Sequence, residues 1–123
     1  RVKETVARVG FSSDPAAVAR SADDRVKAMA SVFEAGKIQI AAAQRVNSGD
    51  FAAADRALGE AQRKLEARAG ETRDQAEKKK LDAQVAQISA SRSSVAKAAA
   101  APAPVQRSEA LKLNKDGMGA MGF

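Results

Sequence analysis

Apolar residues recur at three- and four-residue intervals through most of this chain. Val26, Met29, Phe33, Gly36, Ile40, Ala43 and Asn47 fall on one face of a helix predicted over 22–46. Gly36 lies on that face, where a missing side chain lets a neighbouring backbone come close. A second run, Phe51, Ala54, Leu58, Ala61 and Leu65, predicts a helix over 51–68 that Gly70 closes. Between the two stands Asn-Ser-Gly-Asp. Gly49 is placed to end the first helix in a left-handed conformation, Asp50 to cap the second, and Phe51 to pack back onto the first. Helices joined by so short a turn lie side by side.

A third helix is expected from Thr72, with Gln75 at capping-box spacing, to about Ala99. Its seam is sparse: Leu81, Val85, Ile88 and Val95, with Ala83, Ala86 and Ala90 beside it. Upstream, Asp14 before Pro15 carries helix-start chemistry and predicts a short helix over 15–20. Ser21, Asp23 and Asp24 then read as a second start. Residues 2–11 break the helical rhythm. Thr5, Ala7, Val9 and Phe11 alternate with Glu4, Val6, Arg8 and Gly10, the period of a strand. A lone strand cannot satisfy its own backbone, so these residues are expected to form an edge that pairs with an upstream domain or a partner chain. At the other end, Ala-Pro repeats at 101–104 predict a linker. They are followed by a tail with Met118, Met121 and Phe123 that is either flexible or docked.

The expected fold is therefore mainly α. A helical hairpin and a third helix form a bundle over 15–100, with one orphan strand and connector at 1–14 and a linker and tail at 101–123. The predicted packing seam is Val26, Met29, Phe33, Ile40, Leu58, Leu65, Leu81, Val85 and Ile88. Composition adds that this core is thin. Apolar residues are 45% of the 123, but alanine is prominent among them and aromatics are 3%, all Phe. Alanine favours the helix while burying little area. A core of this kind predicts a marginal bundle, or one that gains stability from a partner.

The absence of Cys and His removes thiol and imidazole chemistry, disulfides and zinc-finger ligands. "FSSDP" has serines and an aspartate but no base, and reads as a capping loop. The isolated glycines make no phosphate loop. "NKDG" at 114–117 lacks the acidic ladder of a calcium loop. No catalytic residue, metal ligand or cofactor is expected, and the chain reads as no enzyme. The net charge of +6 and pI near 10.0 raise nucleic-acid binding as an alternative. Against it, the charge is spread evenly and stacking aromatics are lacking. The one run, Lys78 to Lys80, fans around a helix. No apolar stretch approaches the ~18–20 residues of a membrane span. The chain opens on Arg1, as a processed product or fragment does.

"VARVGFSSDPAAV" and "DDRVKAMASVFEAGKIQIAAAQRVNSGDFAAADRALGEAQRKL", with the alanine-rich third helix, resemble the C-terminal region of bacterial von Willebrand factor type A domain proteins. Phe11, Asp14, Pro15, Gly49, Asp50, Phe51 and Ala54 carry the resemblance, which covers about residues 2–70. In that family a metal-binding type A domain and a β-sandwich precede such a helical region. The Asp-x-Ser-x-Ser metal motif is absent from this sequence, so no ligand residue carries over. The resemblance implies a helical accessory module in a larger adhesion or scaffolding protein of the bacterial envelope, with the strand's sheet upstream. The other reading of the residues is a stand-alone adaptor or self-assembling structural protein, a homo-oligomer, in the cytoplasm.

Overall fold

The computed structural model describes residues 15–123. It contains four helices: α1 (Pro15–Asn47), α2 (Phe51–Glu71), α3 (Gln75–Ala98) and α4 (Ala103–Ala120). No strand occurs among the described residues, and the chain is mainly helical. The expected strand edge, Thr5, Ala7, Val9 and Phe11, lies outside them. Each helix is joined to the next by a short turn, so sequence neighbours run antiparallel. α1 contacts all three of the others, most extensively α4, while α2 and α4 do not meet.

Three expectations about element boundaries are corrected. The short helix over 15–20 and the restart at Ser21 are one continuous α1. The start chemistry at 21–24 serves a different helix. Asp24 Oδ2 accepts the backbone N–H groups of Arg73 (2.7 Å) and Asp74 (3.0 Å), and the Ser21 hydroxyl donates to Asp74 Oδ2 (3.0 Å). These contacts tie the α2–α3 turn to α1. The cap of α3 is Asp74, whose Oδ1 accepts from the N–H groups of Ala76 and Glu77. Thr72 instead ends α2, its hydroxyl donating to the Arg68 carbonyl at 2.6 Å. The third correction concerns the tail. Pro102 and Pro104 stop α3 but also start α4, since a proline in the first helical turn gives up no hydrogen bond. Gln106 Nε2 bridges the join by donating to the carbonyls of Ala98 (3.1 Å) and Ala101 (3.0 Å).

At the first turn, Gly49 has φ +79°, a conformation that favours glycine. The Asp50 N–H reaches back to the Arg45 carbonyl and the Gly49 N–H to that of Val46, closing α1 in a Schellman arrangement. Asp50 Oδ1 then accepts the Ala53 N–H at 3.1 Å, and Phe51 is half-buried against the core.

The core contains Leu58, Leu65, Leu81, Ile88, Val95 and Leu113, with many alanines between them. On α1 the core-facing side is Ala28, Ala35, Gln39, Ala42, Ala43 and Val46. α1 and α4 approach through glycine. A Cβ on Gly36 would lie 2.7 Å from the Gly117 carbonyl oxygen, and one on Gly117 2.6 Å from the Gly36 carbonyl oxygen. The two glycines face each other, and backbone rests on backbone. α2 and α3 are clamped from outside by Arg92, which lies across Gly59. It donates from Nε and Nη2 to the two carboxylate oxygens of Asp55 (2.9 and 3.3 Å) and from Nη1 to Gln62 Oε1 (3.3 Å).

Candidate interaction face

The face that α4 covers on α1 does not end where α4 ends. α4 runs antiparallel to α1, and its last turn reaches Gly36, where Met121 sits. Toward the start of α1 the same face continues as Phe33, Met29, Val26 and Val18. These are 44%, 61%, 65% and 50% exposed. At 3.6 residues per turn, Val18, Ala22, Val26, Met29 and Phe33 make one stripe, about a third of a turn round from the core side of α1.

Three residues of the predicted seam are therefore misplaced. Val26, Met29 and Phe33 are exposed and do not belong to the core. Leu58, Leu65, Leu81 and Ile88 are fully buried, and Ile40 and Val85 half-buried. The error has a physical source. The periodicity of large side chains marks a face that wants covering, whereas the face α1 gives its own bundle is built of alanine and one glutamine. Alanine's small volume lets helices pack closely, so burial and side-chain size part company here.

Beside the stripe lies a groove of about 690 Å³ between α1, the first half of α3 and the end of α4. Met29, Val32, Phe33 and Met121 form its apolar wall, and Glu77 and Gln84 border it from α3. This part of α3 is unusual. Along its core face, Leu81, Ile88 and Val95 alternate with Glu77, Gln84 and Ser91 in a heptad-like rhythm, all six buried. Gln84 Nε2 donates to Gln39 Oε1 (3.1 Å) and more weakly to the Val32 carbonyl (3.4 Å), and Gln39 Nε2 donates to Gln87 Oε1 (3.1 Å). This layer ties α3 to α1 where little apolar surface does. Glu77 Oε1, Gln84 Oε1 and Ser91 Oγ remain buried with no hydrogen-bond partner. Glu77 meets Lys80 at 3.5 Å through its other oxygen.

The charged lining of the groove has both signs, Glu77 and Asp116 with Lys80 and Lys115; two carboxyls outside it are shifted. Asp74, at the start of α3, has its carboxyl held below the usual carboxylate range. The N–H of Glu77 is the chief cause, followed by the Ser21 hydroxyl, with Arg25 contributing its charge. On α4, burial pushes the Glu109 carboxyl up, and Asp116 adds to that against the opposing pull of Lys112. A second concavity of about 410 Å³, between α1 and α2, has a charged rim of Glu34, Lys64, Arg68 and Glu71. There Arg68 is already engaged by Ser31 (3.1 Å) and Glu71 (2.9 Å).

Among the described residues no cluster of three or more His, Cys, Asp or Glu side chains is placed to hold a metal ion. No described helix is long and apolar enough to cross a membrane. The large apolar stripe was present in the sequence reading as the wrong kind of face. The polar heptad positions of α3 were missed. Their signal was the spacing of Glu77, Gln84 and Ser91 between the apolar ones. Comparison with protein-family models, with curated proteins and with solved structures found no match.

Proposed function

We propose that this chain is a non-catalytic helical interaction module that docks through the uncovered face of α1 and the groove beside it. The observation that carries the reading is the stripe from Val18 to Phe33. It is a continuous apolar surface on a helix whose other side is closely packed. Isolated exposed apolar residues are ordinary; a contiguous stripe bordering a groove marks a surface built to be covered. The thin, alanine-rich core points the same way, because such a bundle gains from burying more apolar area. A larger adhesion or scaffolding protein, of which this would be the C-terminal region, is the finer form of the proposal. It rests on the residue pattern of 2–70 alone; none of the comparisons links the chain to von Willebrand factor type A proteins.

The test is the double variant Val26→Lys/Met29→Lys. Both positions are exposed, so its stability at micromolar concentration should stay within about 0.5 kcal/mol of the parent, read by thermal and urea unfolding. Collapse of the helical signal would show that the face belongs to the chain's own core, and would end the docking reading.

A further inference from the structure

We propose that the occupant of this face is a second copy of the chain, the two α1 helices running antiparallel about a two-fold axis near Val26. The inference rests on the docking reading above and names its partner.

The stripe is complementary to itself. An antiparallel register with its axis between Arg25 and Val26 places Val18 opposite Phe33 of the partner subunit and Ala22 opposite Met29 of the partner subunit. Val26 then lies about 1.5 Å along the helix from its own symmetry mate, within reach of it. Each long side chain faces a short one, as close packing between helices requires. The uncovered stretch is also the right length. It runs from Pro15 to Phe33, about 28 Å at 1.5 Å per residue, and its two ends exchange under the two-fold.

The same register continues an interface already present. α4 covers α1 only as far as Gly36, where Met121 sits. Pro15 of the partner subunit arrives beside that point, so the partner's α1 extends the layer that α4 ends. α4 and the arriving helix are both antiparallel to α1. The C-terminal carbonyls of one therefore point at the N-terminal N–H groups of the other, the favourable arrangement of two helix dipoles.

Charge complementarity supplies the third argument. Arg25 lies at the edge of the stripe nearest α3, where its charge acts on Asp74. Contacts between Asp24 and Asp74 and between Val32 and Gln84 set Glu77 level with the residues just after Val26. Arg25 of the partner subunit comes to that level on the groove side. It brings a guanidinium toward Glu77, the buried carboxylate with an unpartnered oxygen. The two-fold makes that pairing twice.

The chain has no cysteine, which makes the test direct. The full chain should sediment at about 100 μM with a mass near twice 12.8 kDa. Val26→Cys should oxidise to a covalent dimer across the axis, and Ala41→Cys, exposed on another part of α1, should not. A mixture of Ala22→Cys and Met29→Cys should give the mixed disulfide, which a parallel pairing would replace by the two like disulfides. Val26→Glu and Val26→Lys should each be monomeric, and their mixture should recover the dimer. A monomeric parent at 100 μM, or like disulfides in place of the mixed one, overturns the proposal. If the parent is monomeric while Val26→Lys/Met29→Lys stays folded, self-pairing falls and the docking reading stands. If that double variant unfolds, both fall.

Discussion

Single residues settle how closely α1 and α4 approach. Gly36 and Gly117 leave no space for a Cβ, because the nearest obstacle on each side is a carbonyl oxygen of the facing helix, which cannot swing aside as a side chain can. Gly36→Ala and Gly117→Ala should each cost about 1–3 kcal/mol in urea unfolding, although alanine is the better helix former. Gly70→Ala, in a helix with nothing within 4 Å of the added carbon, should instead stabilise by about 0.5–1 kcal/mol. The opposite signs at chemically identical substitutions separate overpacking from propensity. Glu109 offers a second residue-scale test. Its carboxyl is raised by burial, and its Oε2 has no hydrogen-bond partner among the described residues. A raised acid binds its proton more tightly in the folded chain. Stability is therefore lost as pH rises from the unfolded carboxylate range through the folded value. Glu109→Gln should raise the melting temperature at pH 7, and the gain should vanish at acid pH where the parent is protonated.

At the scale of elements, the α2–α3 turn is held by Asp24 and Ser21 of α1 as well as by its own cap. Asp74→Ala should lower the melting temperature at neutral pH and loosen the first turn of α3, seen as faster amide exchange at Ala76 and Glu77. Because the carboxyl of Asp74 is depressed in the fold, its contribution is present above the unfolded value and lost as pH falls through the folded one. The parent should therefore lose stability toward acid more steeply than the variant. The helical class and the Gly49 turn were legible in the sequence because their determinants are local: periodicity, a left-handed glycine, and a carboxylate that reaches the next N–H. Asp24 was misread because the same carboxylate chemistry can bind the backbone N–H groups of a turn far away in sequence. α4 was misread because Ala-Pro punctuation ends one helix and starts another equally well. The candidate face was legible only as a set of large residues. Which side they covered depended on where α4 stopped, and that is set by the Gly36–Gly117 contact, which joins distant parts of the chain.

The whole molecule is a bundle in which the first and last described helices share the most extensive interface. A chain ending at Ala101 should keep the hairpin helices yet lose the sharp melt. Its removal uncovers Gln39, Ile40 and Ala43 together with the glycine contact, and leaves α3 held to α1 chiefly by glutamines. Calorimetry would show a broad, low-enthalpy transition in place of a cooperative one. The proposed pairing adds apolar area to a molecule short of it, so the parent's melting temperature should rise with concentration while that of Val26→Glu stays constant. The position of α4 also orders events during synthesis. The α1–α2 and α2–α3 contacts are available soon after each turn leaves the ribosome, whereas Gly36 waits for Gly117, which is made 81 residues after it. Through that interval the entire apolar flank of α1, from Val18 to Ala43, is open. A nascent chain of this kind relies on α4 arriving before a neighbouring nascent chain does.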